Sequence, residues 1–209
     1  MENIKFIEPR NIEKRSFEII QEEMGAIQLE KEIEPIVKRV IHTSADFDYL
    51  NNMCFSKNAV KKSKEVLKNG ATIITDTNMV YSGINKKATA KYGVNIQCFM
   101  ADEDVAKEAI ERGETRAAVS MERASRIEGP TIFAIGNAPT ALIKLYEMIK
   151  SGIFRPDVII GVPVGFVNVV EAKELIMSLE NVEYIVAKGR KGGSNIAAAI
   201  CNALLYNIN

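Results

Sequence analysis

The sequence contains little of the chemistry that builds metal sites and disulfides. Histidine occurs once, as His42, and the three cysteines, Cys54, Cys98 and Cys201, are far apart in the chain. One histidine cannot build a multi-histidine metal site, and an odd number of cysteines without a CxxC pair indicates neither a disulfide framework nor a zinc site. We therefore predict no metal site and expect the chain to work in a reducing compartment.

The sequence also lacks an excess of one charge and a long hydrophobic run. Lysine plus arginine and aspartate plus glutamate both number 27, so no whole-molecule field attracts nucleic acid or an anionic membrane. The longest apolar run, from Val158 to Val170, is too short for a membrane span and is interrupted by Pro163. Because the first residues are too charged for a signal peptide, we expect a soluble, cytoplasmic protein that binds neither nucleic acid nor membrane.

After the first third, short β-branched runs alternate with amphipathic stretches. The predicted strands are Ala71–Thr75, Asn95–Phe99, Thr131–Ile135, Asp157–Val162 and Glu183–Ala187. The predicted helices are Ser56–Asn69, Asp102–Arg112, Arg116–Ile127, Pro139–Ser151, Asn168–Leu179 and Ser194–Tyr206. This alternation indicates an α/β fold with a mostly parallel sheet and helices on both faces. With no linker in the sequence, we expect one domain over residues 1–209.

The first third predicts an N-terminal helical segment. Apolar residues recur at helical spacing from Phe17 to Ile27, and again from Ile33 to Ile41. Pro35 suits the first turn of the second helix, which places His42 in its last turn or just beyond. The carbonyl end of a helix favours a protonated imidazole there.

Three strand-to-helix turns in the second half are rich in glycine: GNAPT, GVPVGFVN and GRKGGSN, which begin at Gly136, Gly161 and Gly189. In a parallel sheet all three emerge at the carboxyl ends of the strands, where open α/β sheets bind ligands, and each precedes a helix whose free N–H groups accept anionic oxygens. Lys188, with the arginine and lysine of GRKGGSN, adds local positive charge. These features predict a site for a carboxylate- or phosphate-bearing ligand. The alternative is that the glycines and prolines only shape tight turns.

The usual nucleotide and hydrolase fingerprints are missing. The sequence has no GxGxxG after a strand, no GxxxxGK[ST] and no GxSxG.

His42 has two possible interpretations, as a structural residue at a helix end or as an acid–base group. Nothing in the sequence marks the nucleophile of a Ser–His–Asp triad. Arg39 precedes His42 by three residues and so lies on neighbouring surface of the same helix. Arg116 begins a helix, where a cation is poorly matched to the dipole. Such a charge indicates a partner, which could be a ligand or Glu114.

These motifs resemble those of the precorrin-8X methylmutase family, which includes the cobalt-precorrin-8 methylmutases of cobalamin biosynthesis. The resemblance covers nearly the whole chain, through EKRSFEII, RVIHTSAD, GETRAAVS, AIGNAPTAL, GVPVGFVNVVEAKE and GRKGGSNIAAAICNALL. It implies a flavodoxin-like α/β fold and a homodimer with the active site near the subunit interface. It also implies an isomerase that needs no cofactor and moves a methyl group from C-11 to C-12 of a tetrapyrrole, precorrin-8X or its cobalt form, to give hydrogenobyrinate or cobyrinate.

The resemblance also assigns roles to residues. It makes His42 catalytic and places Ser16, Arg39 and Arg116 in contact with substrate. The remaining candidates for substrate binding are Arg15, Asn137, Gly165, Arg190, Lys191, Gly192, Gly193 and Ser194. We expect His42 to protonate, or to hydrogen-bond to, the ring beside the migrating methyl group, because an imidazole can donate and recover a proton near neutral pH.

Two rival functions remain open at this point. A corrinoid carrier would bind the tetrapyrrole without converting it. Such carriers often ligate cobalt through a histidine in a loop after a strand, whereas His42 is expected at the end of a helix. A nucleotide-dependent α/β enzyme is disfavoured by the missing phosphate fingerprints. The sequence leaves open whether the natural substrate contains cobalt.

Overall fold

The computed structural model describes residues 6–208 and contains a six-stranded sheet. The strands are β1 (Met53–Phe55), β2 (Thr72–Thr75), β3 (Asn95–Gln97), β4 (Thr131–Ile135), β5 (Val158–Gly161) and β6 (Glu183–Ala187). Their order is β1-β6-β5-β4-β2-β3; β2 to β6 are parallel, and β1 pairs antiparallel with β6. The parallel strands follow the flavodoxin-like order, which confirms the predicted fold class.

Helices cover both faces of this sheet. They are α1 (Ile12–Met24), α2 (Glu34–Ser44), α3 (Tyr49–Asn52), α4 (Ala59–Lys68), α5 (Asn78–Gly83), α6 (Lys86–Lys91), α7 (Glu103–Arg112), α8 (Arg116–Ala124), α9 (Pro139–Lys150), α10 (Val169–Met177) and α11 (Ser194–Tyr206). Successive side chains along the strands point to opposite faces of the sheet and pack into two separate hydrophobic cores. Ile73 packs with α2, α4 and α11 on one face, and its neighbour Ile74 packs with α8, α9 and α10 on the other.

The predicted strands and helices of the second half are present, most with ends shifted inward by one to three residues. Several short elements were missed. Helices α5 and α6 are only six residues long, too short for periodicity, and each begins at a side-chain cap, Thr77 accepting from Val80 N and Asn85 from Ala88 N. The edge strand β1 has three residues and α3 has four, so neither produced a recognisable pattern.

The N-terminal helical segment is confirmed, with Pro35 in the first turn of α2 and His42 in its last turn. Helix α1 ends at Met24, so Ile27 lies beyond it. Helix α2 packs against α1 and against α11, the helix that follows the GRKGGSN turn. These contacts place α2 beside α11, which belongs to the second half of the chain.

The predicted domain, residues 1–209, includes residues 1–5 and 209, which lie outside the described part. Within residues 6–208, no helix combines the length and hydropathy that a membrane crossing requires.

Candidate active site

His42 is exposed at the end of α2. The helix stops because Ala45 adopts the left-handed conformation, with φ of 53°, and donates its N–H back to the last turn. The imidazole stacks on the Phe17 ring, with centroids 5.1 Å apart and an angle of 14° between the planes. Neither ring nitrogen has a hydrogen-bond partner within residues 6–208, so that part of the chain forms no Ser–His–Asp triad and leaves the imidazole free for a ligand.

Arg39 lies one turn before His42 and contacts the same aromatic ring. Its guanidinium carbon is 4.7 Å from the centroid of Phe17 and 5.4 Å from that of Tyr206. It also forms an ion pair with Glu13 of α1, and this hydrogen bond holds the pKa of the Glu13 carboxyl below its ordinary value. Arg39 and His42 therefore face one surface, as their spacing predicted, with Phe17 between them.

A cleft of about 330 Å³ opens beside His42. We call it the His42 cleft; its lining residues are Ser16, Ile19, Ile20, Glu23, Ile41, His42, Ala45 and Phe47. Most of these side chains are apolar, with Ser16, Glu23 and His42 as the polar groups. The structure thus places the predicted substrate residue Ser16 in the same cleft as the predicted catalytic residue.

The antiparallel edge strand brings the end of α2 to the carboxyl edge of the sheet. Because β1 runs against β6, its first residue, Met53, pairs with the last residue of β6, Ala187. The pairing continues past the strand, with Lys188 N donating to Asn52 O at 2.8 Å. The segment between His42 and β1 must therefore lie beside the turn that follows β6.

That turn, Lys188–Gly193, is called here the basic loop. The ammonium group of its Lys191 binds two carboxylates, Asp46 at 2.6 Å and Asp48. These contacts hold the pKa of Lys191 above its ordinary value and that of Asp46 below. The two acids that follow His42 thus bind the basic loop, and the positive charge of Lys191 is already compensated within the protein.

Glycines of the basic loop and of the GNAPT turn permit close approach of backbone to backbone. A Cβ added at Gly192 would lie 2.1 Å from Val162 O, and one added at Gly136 would lie 2.7 Å from Ser194 Cα. Gly193 N donates to Val162 O at 2.8 Å. The three glycine turns are therefore packed on one another at a single edge, as predicted, and only glycine fits at the contacts.

The GNAPT turn corrects one expectation about anion binding. The three N–H groups of Gly136, Asn137 and Ala138, at the start of α9, donate to the buried carboxylate of Asp76 at 2.7 to 2.9 Å. Burial raises the pKa of Asp76, and the three donors oppose that shift. This helix end is thus filled by an acid of the chain itself, at the point between β2 and β4 where flavodoxin-like folds bind ligands. The exposed side chain of Asn137 takes no part in these hydrogen bonds.

Two predicted substrate arginines differ in their surroundings. Arg116 is exposed at the start of α8, where Thr115 Oγ1 donates to Thr140 Oγ1 of the GNAPT turn at 2.9 Å. Glu114 pairs with Arg112 and Lys144 instead, so Arg116 has no ion-pair partner within the described residues. Arg15 forms ion pairs with Glu18 and Glu22 along α1. Of the two, Arg116 is the cation left for a ligand.

Another cavity, of about 530 Å³, lies at the amino ends of β5 and β6, on the opposite edge of the sheet. Its lining includes Lys61, Arg155, Asp157 and Glu180. The charges there are of both signs, and none of the predicted site residues lies in it. Within residues 6–208, no three histidine, cysteine, aspartate or glutamate side chains are grouped so that they could hold a metal ion.

Sequence reasoning missed three residues that shape this edge. Phe17 was assigned only to the apolar side of α1, although it separates Arg39 from His42. Asp76 directly follows a buried strand, a position that could have marked it. Lys173 gave no signal, because a lysine in a helix is usually exposed, yet here it is fully buried.

This geometry defines a class of protein. It is an α/β protein that has, at the carboxyl edge of its sheet, an exposed imidazole, guanidinium groups and an apolar cleft. A combination of acid–base and anion-binding groups at this edge is typical of enzymes on such folds.

Comparisons with known proteins identify the family. The family described as CbiC, precorrin-8X methylmutase, matches residues 11–207. The chain is 42% identical to the cobalt-precorrin-8 methylmutase of Leptospira interrogans, over 94% of this chain and 92% of that protein, and 40% identical to that of Salmonella typhimurium, over 96% of both. A crystal structure of the precorrin-8X methylmutase from Thermus thermophilus superposes with a TM-score of 0.86 at 36% identity, covering 94% and 96% of the two chains. The chain belongs to the precorrin-8X methylmutase family and is an isomerase of cobalamin biosynthesis.

Proposed function

We propose that this enzyme moves a methyl group from C-11 to C-12 of precorrin-8X or cobalt-precorrin-8, giving hydrogenobyrinate or cobyrinate. The observation that carries the proposal is the exposed His42 imidazole, whose nitrogens have no partner within residues 6–208 and which lies in an apolar cleft beside Arg39. The names of the relatives from Leptospira and Salmonella support the cobalt form. The rival assignment, a non-catalytic corrinoid carrier, has no comparable support.

The chemistry asks little of the protein beyond acid–base help and positioning. One C–CH₃ bond breaks at C-11 and another forms at C-12 of the same molecule, so no electrons or atoms are gained or lost. Such a shift across a conjugated ring is accelerated when the ring is made electron-poor. We propose that His42 donates a proton or a hydrogen bond to the ring beside the methyl group and recovers the proton afterwards. No cofactor is required.

The substrate is a flat macrocycle edged by carboxylates, and the residues around the cleft suit it. We propose that the apolar walls of the His42 cleft contact the ring and that Ser16 donates a hydrogen bond to it. Arg39, Arg116 and Arg190 would bind carboxylate arms, since a guanidinium matches a carboxylate well. Gly165, Gly192, Gly193, Ser194 and Asn137 line the loops around these cations. Arg15 would have to give up two ion pairs to join them.

We propose that the enzyme is a cytoplasmic homodimer with its active sites near the subunit interface. Helix α1 and the segment before it expose the large apolar side chains of Ile7, Ile12 and Ile19, and Ile19 lines the His42 cleft. A cleft of about 330 Å³ is small for a whole tetrapyrrole. A second copy seated over α1 would cover the apolar side chains and deepen the cleft.

Incubation with the substrate tests the reaction directly. The wild-type protein, given precorrin-8X or cobalt-precorrin-8, is expected to change the absorption spectrum as conjugation is rearranged, and mass spectrometry is expected to find a product of unchanged mass. The form converted with the higher kcat/KM identifies the natural substrate. Binding of both forms without any spectral change over time would contradict the proposal and favour a carrier.

Arg190 is expected to contribute to substrate affinity through its charge. The residue is exposed, and its guanidinium lies over the Phe166 ring, 5.4 Å from the centroid. Arg190→Ala should raise the dissociation constant of the product about tenfold at low ionic strength, because a charge-assisted hydrogen bond to a carboxylate is lost. The difference should shrink as salt is added.

The matched control for this variant is Arg155→Ala. Arg155 is also exposed and lies at the opposite edge of the sheet, so its removal changes the net charge equally without touching the basic loop. Equilibrium dialysis across a salt series measures both variants. Equal affinities for the two variants would show that the basic loop has no role in binding through Arg190.

A further inference from the structure

Lys173 of α10 is a buried cation without an acidic partner. Its side chain has no exposed surface, and no carboxylate within residues 6–208 forms an ion pair with it. Nζ donates instead to two backbone oxygens of the basic loop, Gly189 O at 2.7 Å and Lys191 O at 2.8 Å. Burial lowers its pKa to about 8. Burying a lysine is costly, so its hydrogen bonds to this one loop require an explanation.

Several carbonyl groups of the basic loop accept hydrogen bonds from other parts of the protein. Arg190 O, between the two oxygens that Lys173 holds, accepts from Gly165 N at 3.3 Å. On the far side, Gly193 N donates to Val162 O. Three consecutive carbonyl oxygens, from Gly189 to Lys191, are therefore fixed by donors from two other segments of the chain.

This arrangement determines where the N–H groups of the loop point. No cis peptide occurs within residues 6–208, and in a trans peptide the N–H is directed opposite to the C=O. Because Gly189 O and Lys191 O point to the buried ammonium, the N–H groups of Arg190 and Gly192 point away from it. Those two N–H groups have no acceptor within the described residues.

The same loop is bound on its outer side to the end of the His42 helix. The Lys191 side chain reaches Asp46 and Asp48, four and six residues after His42. A shift of the loop backbone would therefore displace both the Arg190 side chain and the attachment point of the helix end. Lys173 holds this loop from inside.

We propose that Lys173 is a positioning residue that orients the basic loop so that the Arg190 guanidinium and the N–H groups of Arg190 and Gly192 bind one carboxylate arm of the substrate. Lys173 itself does not touch substrate in this proposal. The inference rests on the proposed function for the identity of the ligand, but the orientation of the loop can be tested without it.

The test uses Lys173→Met, which keeps the length of the side chain and removes the donors. We expect KM and the dissociation constant of the product to rise about tenfold, with kcat changed by less than about threefold, since binding is impaired while the His42 imidazole itself is retained. Lys173→Gln, which is shorter but retains two N–H donors, should restore part of the affinity. The control is Ile176→Val, a conservative change at a buried position of the same helix.

A double-mutant cycle separates positioning from a general loss of stability. If Lys173 acts through the loop, Arg190→Ala should cost about tenfold in affinity in the wild-type background and less than about twofold in Lys173→Met. The same tenfold loss in both backgrounds, or a wild-type KM in Lys173→Met, would overturn the inference.

A second measurement needs no substrate and distinguishes failure of this inference from failure of the proposed function. Trypsin is expected to cut after Arg190 or Lys191 about tenfold faster in Lys173→Met than in Ile176→Val, because the loop opens locally more often. Equal cleavage rates would overturn the positioning role even if the wild type converts the tetrapyrrole. Faster cleavage in a protein that does not bind the tetrapyrrole would support the role of Lys173 in orienting the loop and would contradict the proposed identity of the ligand.

Discussion

Replacement of His42 by alanine is expected to lower kcat about 10²–10⁴-fold while leaving the affinity for the tetrapyrrole nearly unchanged. The side chain is exposed, has no hydrogen bond within residues 6–208 and makes one ring contact, with Phe17, so its removal should disturb the fold little. Loss of an acid–base group raises the barrier of the chemical step without removing the carboxylate contacts. Single-turnover absorbance measures the rate, and equilibrium dialysis with the product measures binding.

Two further variants make the result specific. His42→Gln keeps a hydrogen-bond donor but cannot deliver a proton, so it separates proton transfer from hydrogen bonding. Thr43→Ala alters the adjacent exposed residue, whose hydroxyl donates only to Arg39 O within the same helix, and should retain wild-type kcat. Near-normal turnover by His42→Ala would remove the imidazole from the mechanism, whatever the Gln variant does.

The parts of the fold that could be predicted are those with a strong local pattern. The bounds of β4, β6 and α11 were predicted to the residue. Continuous apolar runs mark a strand buried on both faces, and the glycine turn before Ser194 marks the start of a long helix. The flavodoxin-like order came from the resemblance, since alternation alone predicts only a mostly parallel sheet.

The geometry around His42 could not be predicted in the same way. It depends on β1, a strand of three residues that pairs antiparallel with a strand distant in sequence. That pairing places Asp46 and Asp48 beside Lys191, which was predicted from the sequence only as a substrate-binding residue. Long-range pairing of a short, half-buried strand leaves no periodic signal.

The anion-binding prediction failed at one turn for an electrostatic reason. The N–H groups at the start of α9 were correctly expected to bind an anionic oxygen, but that oxygen belongs to Asp76. An acid at the end of a buried strand can satisfy a neighbouring helix end as well as a ligand can. The proposed binding of the carboxylate arms of the substrate therefore rests on the guanidinium groups and the basic loop.

The second large effect is expected from Gly192→Ala. A Cβ at this position would lie 2.1 Å from Val162 O and 2.7 Å from Pro163 O, and both atoms are backbone, so no side chain can move aside. The basic loop must then shift and lose the hydrogen bond from Gly193 N to Val162 O. We expect unfolding to require about 2–4 kcal/mol less free energy, which lowers the Tm by about 4–16 °C for a chain of this size.

Gly161→Ala is the matched control, because Gly161 ends β5 just before the same turn. Its added Cβ would meet only side-chain atoms of Leu142 and Val186, at 3.4 Å, which is ordinary contact. This variant should lose at most about 1 kcal/mol. Thermal unfolding followed by circular dichroism compares the two, and affinity for the tetrapyrrole should fall only in Gly192→Ala. Wild-type stability and affinity in Gly192→Ala would show that the basic loop does not need the close backbone approach on which its proposed role depends.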